Sequence, residues 1–281
     1  MHLGMILASL ALAIYLRCSN FNSTGNWTQR WQQTLLLFLF PQLLIMMTAL
    51  AIFCMGPQGK MVGLQAGWFS YLLALAFLWL AIVSLLKLAS EGWRSLLKIR
   101  EYSSINLLDG KIARLLNTEV PFSAQIGFWK SELVVSQGLL QVLDQTHLDA
   151  VLAHEQAHYY YRDTFWFFWL GWLRRLTFWL PNTEILWEEL LILREIRADR
   201  LAASQVDALI LAESLIFVVS FPMILSEDFS AGFSYSVSRQ RLTERIDAIL
   251  AEPETSVQSS FWVWSWVILA FLPLVTVPFH S

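Results

Sequence analysis

The first 90 residues of this 281-residue chain contain no aspartate or glutamate, and no acidic residue follows Glu254. All 22 acidic residues therefore lie between Glu91 and Glu254. Hydrophobic residues make up 56% of the chain, and its mean hydropathy is +0.51, which is unlike an ordinary soluble domain. We therefore expect lipid-embedded segments at both ends of the chain and an aqueous domain between them.

Cysteine is also scarce, since only Cys18 and Cys54 are present. The spans predicted below put these two residues at opposite faces of a bilayer, whereas a disulfide requires a Cα separation of about 5.5 Å. We expect both to be unpaired packing residues. The net charge of −3 indicates no nucleic-acid partner.

Four apolar runs predict transmembrane helices, at about residues 3–16, 35–55, 67–86 and 261–279. The last three have roughly the 20 residues that a helix needs to cross about 30 Å of hydrocarbon. The first run is short, and a cleaved signal peptide is its alternative interpretation. Because no Lys or Arg precedes that run, we favour a retained helix.

Basic residues flank the first and third runs and indicate the orientation. Arg17 and Arg30 follow the first run, and Lys87, Arg94, Lys98 and Arg100 follow the third. The positive-inside rule then predicts an inner-membrane protein with its N-terminus outside and the long insert in the cytoplasm. The predicted domains are residues 1–89 with three spans, a cytoplasmic insert at 90–258, and a fourth span at 259–281.

The insert is predicted to be mostly α-helical with a small β element. Residues 105–116 have the apolar spacing of an amphipathic helix, and the β-branched run SELVVS at 131–136 predicts a strand. Residues 164–193 predict an aromatic helical hairpin broken at Pro181-Asn182. Its tryptophans suit a membrane interface, and a plain buried core helix is the alternative.

The stretch LAHEQAHYYYRD contains an HExxH pattern at residues 154–158. Thr146 and Asp149 form a capping pattern that places it within a helix. Residues i and i+4 share a helix face, so His154 and His158 can both bind one zinc ion. Glu155 then has the position of a general base acting on water at an open coordination site. HExxH alone arises often by chance, and three protein ligands are needed.

The third ligand should come from EELLILREIRADRLAA at residues 188–203. Glu195 and Asp199 are four residues apart and face the same way. Glu195 can complete a His₂Glu site, and Asp199 can hydrogen-bond the distal nitrogen of a ligand histidine. Alternatively, these acids belong to a solvated helix with ion pairs to Arg194, Arg197 and Arg200.

Together these motifs resemble a known group of integral-membrane zinc peptidases. The segments SELVVSQGLLQVLDQTHLDAVLAHEQAHYYYRD, FWLPN, LREIRADRLAA and RQRLTERIDAIL resemble the BlaR/MecR-type metallopeptidases, and more distantly the HtpX and CAAX-prenyl-protease family. The resemblance implies one zinc ion per chain held by His154, His158 and Glu195. It also implies Glu155 as the catalytic base and Asp199 as the acid behind the ligands.

Two activities follow from the resemblance. BlaR/MecR-like relatives imply regulatory cleavage of a cytoplasmic repressor, and HtpX-like relatives imply quality control of membrane proteins. Ala198 stands where BlaR/MecR relatives often have cysteine, which leans towards the HtpX-like pattern. No S-x-x-K pattern follows the fourth run, so direct β-lactam sensing is not expected. A scaffold whose zinc is purely structural is the non-enzymatic alternative.

The substrate of such an enzyme would be a protein or peptide segment, because cleavage requires an extended backbone. We expect it to pair as an added edge strand with the predicted strand. The residues of that strand are Glu132, Leu133, Val134, Val135 and Ser136. The alternative is that this strand lies in the interior of a sheet.

Overall fold

The computed structural model of the chain describes residues 2–18, 26–58, 60–61, 64–65, 67–107, 110–220, 241–251 and 261–279. The helices are α1 (His2–Cys18), α2 (Trp27–Met55), α3 (Trp68–Arg100), α4 (Gln137–Val142), α5 (Gln145–Tyr161), α6 (Asp163–Leu176), α7 (Thr183–Ala203), α8 (Ala208–Ser220), α9 (Leu242–Leu250), α10 (Phe261–Leu269) and α11 (Leu272–Val275). The strands are β1 (Lys60–Met61), β2 (Leu64–Gln65), β3 (Ser104–Asn106), β4 (Ile112–Leu116), β5 (Ser123–Ile126) and β6 (Glu132–Ser136). The prediction of a mostly helical chain with a small β element is confirmed.

Two described helices are long and apolar enough to cross a membrane. They are α2, with 29 residues, and α3, with 33 residues, and the apolar part of each has a mean hydropathy of 2.4. Helix α1 is apolar but has only 17 residues. The predicted fourth helix is interrupted between Leu269 and Leu272, because Pro273 in the first turn of α11 has no N–H to donate to the carbonyl of Leu269, and a 3₁₀ turn follows at Val277–Phe279. Four spans are therefore not confirmed.

The chain divides into two compact units, and the first comprises Met1–Leu86, Trp172–Leu190 and Glu254–Ser281. In this unit Arg30 of α2 pairs with Glu189 of α7, where Nε lies 3.0 Å from Oε1. The indole N–H of Trp172 donates to the backbone carbonyl of Ala81 at 2.9 Å. These contacts anchor the second half of the predicted aromatic hairpin to the apolar helices of the same unit.

The second unit comprises Lys87–Gly171 and Leu191–Pro253, and it is built on a four-stranded sheet. The strand order is β3-β4-β6-β5, in which β4 and β6 are parallel and the other two pairs are antiparallel. Helix α5 packs Val151 and Leu152 on one face of this sheet, against Val135. The other face carries Val134 and packs against Ile99 of α3.

Strands β3 and β4 occupy the region for which the sequence predicted a helix at 105–116, so that prediction is wrong. Ile105 pairs with Ala113 across an antiparallel hairpin. Gly110 has a φ of +80°, a conformation that glycine adopts without steric cost. The Asp109-Gly110 pair is a turn signal, and the apolar spacing alone did not distinguish a hairpin from a helix.

Helix α5 begins two residues earlier than the predicted cap. Asp144, rather than Thr146, is the N-cap residue, and its carboxylate accepts a hydrogen bond from the backbone N–H of His147 at 2.9 Å. The helix ends at Tyr161, and the next residue, Arg162, has a left-handed φ of 53°. Because a single left-handed residue redirects the chain, α6 begins at once with Asp163.

The face of α5 away from the sheet packs against α8 and α9. Ala150 and Ala153 of α5 contact a buried cluster that includes Leu211 and Ala212 of α8 and Ile249 of α9. Small side chains on α5 allow the helices to approach closely, which fixes α5 between the sheet and the two later helices. The histidine-bearing helix is therefore held on two sides by apolar packing.

Candidate metal centre

Three side chains from two helices of the second unit converge on one point. His154 and His158 lie one turn apart on α5, and their Nε2 atoms are 3.1 Å apart. Glu195 of α7 directs Oε2 towards both rings, at 3.4 Å from Nε2 of His154 and 3.7 Å from Nε2 of His158. The structure therefore brings together the three residues that the sequence predicted as zinc ligands.

The spacing of these three atoms fits a tetrahedral metal site. A zinc ion bonds nitrogen and oxygen ligands at about 2.0–2.1 Å, so two ligand atoms of a tetrahedron are about 3.3 Å apart. The three observed separations are 3.1, 3.4 and 3.7 Å. Among the described residues, His154, His158 and Glu195 form the only group of three or more His, Cys, Asp or Glu side chains that could hold a metal ion. A tetrahedral ion held by these three side chains would have a fourth position for another ligand.

Each imidazole has a carboxylate behind it. Nδ1 of His154 lies 2.8 Å from Oδ1 of Asp199, and Nδ1 of His158 lies 2.7 Å from Oδ2 of Asp163. Both acids are almost fully buried. An acceptor at Nδ1 keeps the proton on that nitrogen and leaves the lone pair of Nε2 for a metal. Asp199 was predicted from sequence for this position, and Asp163 was not.

Two arginines neutralise the carboxylates behind the imidazoles. Arg245 of α9 is itself buried and donates two hydrogen bonds to Asp199, from Nε at 2.7 Å and from Nη2 at 2.8 Å. Arg197 of α7 pairs with Asp163 through Nη2, which donates to Oδ1. A buried, charged carboxylate without a partner destabilises the fold. These two arginines therefore offset the free-energy cost of burying Asp199 and Asp163.

The local charges favour a cation between the ligands. Burial lowers the pKa of His154, but the carboxylates of Asp199 and Glu195 together outweigh burial and raise this pKa to about 10. Burial raises the pKa of Glu195, but Arg194, His158 and Arg245 hold this pKa well below its ordinary value. The carboxylates therefore remain charged, and a proton or a metal ion balances them at the imidazoles.

Glu155 follows His154 on α5, and its side chain is buried. Its Oε1 accepts a hydrogen bond from the hydroxyl of Ser123 at 2.9 Å. Ser123 is the first residue of β5, so this bond joins the candidate base to the sheet. A fixed carboxylate beside the two candidate ligand histidines has the chemistry of a general base.

Strand β6, residues Glu132–Ser136, does not offer the free edge that the sequence analysis assigned to substrate. It pairs with β4 on one side and with β5 on the other, so its backbone groups are used within the sheet. That prediction is wrong, and the alternative of a sheet interior is correct. Strand β5 is at the end of the sheet, and no described strand pairs with its outer side.

Sequence reasoning missed three residues that contact the site, namely Ser123, Asp163 and Arg245. Asp163 had a usable signal, because it stands five positions after His158, immediately beyond the end of α5. Arg245 lies in the segment RQRLTERIDAIL, which carried part of the resemblance without an assigned role. Ser123 had no signal, because its contact with Glu155 depends on the order of strands in the sheet.

Residues 122–227 match the family model described as Peptidase family M48. The match begins just before β5, includes α5, α6 and α7 with the three candidate ligands, and extends beyond the end of α8. It supports a metallopeptidase of this family and confirms the resemblance at that level. No curated protein matches the chain.

Proposed function

We propose that this chain, whose residues 122–227 match peptidase family M48, is a membrane-bound zinc endopeptidase. The observation that carries the proposal is the convergence of Nε2 of His154, Nε2 of His158 and Oε2 of Glu195 within 3.7 Å of one another. Two nitrogens and one carboxylate oxygen are a donor set that suits catalytic zinc. Asp199 and Asp163 would hold the two imidazoles in the binding tautomer.

Zinc held there would supply a Lewis acid that acidifies water to a pKa of about 7 and polarises a carbonyl. Glu155 performs the proton transfers. Its carboxylate takes the proton from the attacking water and then delivers it to the departing amine. The hydrogen bond from Ser123 at 2.9 Å holds one oxygen of Glu155 in place, which leaves the other for the proton.

The substrate would bind as an extended segment along the outer side of β5. This strand is four residues long, begins at Ser123 beside Glu155, and has no described strand on its outer side. An added strand uses backbone hydrogen bonds and therefore accepts many sequences. An enzyme built this way cleaves unfolded or flexible segments of proteins.

Aromatic side chains at the far end of β5 would add side-chain preference. Phe128 follows β5, and its ring centroid lies 4.5 Å from that of Phe168 and 5.3 Å from that of Phe165. Trp129 packs edge-on against Phe165 and is 72% exposed. A substrate strand that extends past Ile126 would meet this apolar surface, which favours apolar residues on that side of the cleaved bond.

A membrane location is part of the proposal. Helix α3 is apolar over a length sufficient to span, and only 17% of its apolar part is buried within the chain. Trp79 is 65% exposed and Leu86 is 64% exposed, as expected for side chains that face lipid. The basic residues after this apolar part are Lys87, Arg94, Lys98 and Arg100. By the positive-inside rule they assign the metal-binding insert to the cytoplasm of an inner-membrane protein.

The non-enzymatic alternative is a protein in which the zinc ion only stabilises the fold. Structural zinc sites are usually closed by four protein ligands, often cysteines. Among the described residues the candidate group has three members and no cysteine. An open fourth position and a neighbouring buried carboxylate, Glu155, therefore favour catalysis.

The decisive experiment compares protein N-termini in cells that produce the wild type or Glu155→Gln. A new N-terminus that requires Glu155 identifies the substrate and the cleaved bond together. Cleavage of one cytoplasmic repressor would support a regulatory role like that of BlaR/MecR relatives. Cleavage of many damaged membrane proteins would support HtpX-like quality control. Identical sets of N-termini would contradict the proposal of an endopeptidase.

A further inference from the structure

The two oxygens of the Glu195 carboxylate have different partners. Oε1 accepts two hydrogen bonds from Arg194, from Nε at 2.9 Å and from Nη2 at 2.6 Å. Oε2 faces the imidazoles of His154 and His158. One oxygen is therefore occupied by a guanidinium, and the other points at the candidate metal position.

We propose that Arg194 is a positioning residue that restricts Glu195 to binding zinc through one oxygen, which keeps the fourth coordination position open. This inference rests on the proposed function, because it assumes that zinc binds the three ligands. A carboxylate can bind a metal through one oxygen or through both. Two charge-assisted hydrogen bonds to Oε1 oppose its rotation towards the metal.

Arg194 is itself held in place. Its guanidinium carbon lies 4.9 Å from the ring centroid of Phe167 on α6, and its side chain is only 16% exposed. Stacking on an aromatic face fixes the plane of the guanidinium, so the direction of its N–H groups is defined before a metal arrives. The orientation of Glu195 is therefore set by the protein.

The second arginine near Glu195 acts differently. Nη2 of Arg245 lies 3.5 Å from Oε2, and the same guanidinium donates its two short hydrogen bonds to Asp199. Arg245 therefore holds Asp199 through its two short hydrogen bonds and forms a longer ion pair with Oε2. Of these two guanidiniums, Arg194 is the one that hydrogen-bonds Oε1.

A second bound oxygen of Glu195 would fill the position that water and the substrate carbonyl need. Loss of the Arg194 contact should therefore keep zinc bound and reduce turnover. A purely structural role of Arg194 would instead weaken zinc binding and folding together. The two explanations predict opposite changes in zinc affinity.

The test uses the purified full-length chain in detergent, as the wild type, Arg194→Met and Arg194→Lys. Arg194→Met removes the charge with little loss of volume, and Arg194→Lys keeps the charge but loses the planar pair of donors. Arg100→Met is the matched control, since Arg100 pairs with Glu132 at 2.8 Å at the start of β6. The readouts are zinc affinity, X-ray absorption of bound zinc, the visible spectrum with cobalt, and peptidase activity.

We expect Arg194→Met to bind zinc at least as tightly as the wild type. The number of nitrogen and oxygen neighbours should rise by one, the cobalt absorption should weaken as coordination increases from four to five, and kcat should fall about 10–100-fold. In Arg194→Lys the coordination number, the cobalt absorption and kcat should change in the same directions. In Arg100→Met all three should match the wild type. Unchanged coordination in both Arg194 variants, or weaker zinc binding in both, would overturn the inference. A wild-type protein that binds no zinc would instead refute the proposed function.

Discussion

Nδ1 of His158 lies 2.7 Å from Oδ2 of Asp163, although the two residues belong to different helices. The left-handed residue Arg162 separates those helices and turns Asp163 back towards the ring. Asp163 is also paired with Arg197, whose guanidinium carbon lies 4.1 Å from the ring centroid of Tyr161. The imidazole of His158 is therefore oriented by Asp163, and Asp163 is itself held by Arg197.

We predict that Asp163→Asn weakens zinc binding about 10–100-fold, because an amide holds the imidazole tautomer less firmly than a carboxylate. Competition with a zinc chelator would measure the change. Asp149→Asn on the same helix is the control, since Asp149 contacts Gln145 at 2.6 Å near the beginning of α5. Equal zinc affinity in Asp163→Asn and wild-type protein would exclude the orienting role.

Helical periodicity predicted which of the candidate ligands share a helix face, and the family resemblance implied that His154, His158 and Glu195 converge. His154 and His158 needed only the i,i+4 rule, and the same spacing linked Glu195 to Asp199. Asp163 was not predictable in this way, since its position depends on a backbone conformation at Arg162 that periodicity does not encode.

The prediction that substrate pairs with β6 was wrong for a different physical reason. The run of apolar residues Leu133, Val134 and Val135 indicates a strand, and such continuous runs are typical of strands buried on both faces. The neighbour that covers its edge is β5, whose short sequence SAQI carries little strand signal. Sheet order depends on contacts distant in sequence, so the free edge could be assigned only from the structure.

Glu155→Gln should retain zinc and lose about 10²–10⁴-fold in kcat, because glutamine cannot accept a proton from water. Zinc content and turnover of a peptide would be measured on the same preparation. Ser123→Ala removes the 2.9 Å hydrogen bond to Glu155 and leaves the carboxylate, so we expect a smaller loss than in Glu155→Gln. Turnover by Glu155→Gln at the wild-type rate would rule out Glu155 as the base.

Glu132 should make the stability of the second unit dependent on acidic pH. Burial raises the pKa of this residue, but hydrogen bonds from Arg100 and Arg114 outweigh burial and lower the pKa below its ordinary value of 4.5. A group with a depressed pKa stabilises the fold above its unfolded pKa, and this contribution is lost as pH falls through the folded pKa. We therefore expect Glu132→Gln to reduce stability near neutral pH, and we expect the difference from the wild type to shrink as pH falls below 4.5 and through the lower folded-state pKa.

Thermal unfolding of both proteins at several pH values would measure this difference. The side chain of Glu132 is 23% exposed, so we expect a contribution of only about 1 kcal/mol at pH 7. If the difference between Glu132→Gln and the wild type stayed constant from pH 7 down to the lowest pH at which both proteins fold, the ion pairs of Glu132 would not contribute to stability.

The outer side of β5 can be tested through single backbone N–H groups. The N–H of Ser136 donates to the carbonyl of Phe122 at 2.9 Å, and Ala124 is opposite Val134 in the same antiparallel register. Hydrogen-bonded pairs alternate with non-bonded pairs in such a ladder, so Phe122 and Ala124 face β6. The backbone groups of Ser123 and Gln125 therefore point to the free edge.

We predict that Gln125→Pro raises KM about tenfold or more and leaves zinc binding unchanged, because proline removes one outward N–H and keeps the β5–β6 ladder. Gln125→Ala is the matched control. Both substitutions lose the 2.8 Å hydrogen bond that the hydroxyl of Ser131 donates to the Gln125 side chain, but Gln125→Ala keeps the backbone N–H. Steady-state cleavage of an unstructured peptide would separate KM from kcat. If Gln125→Pro and Gln125→Ala had the same KM, the substrate would not pair with β5, and another surface beside Glu155 would have to align the cleaved segment.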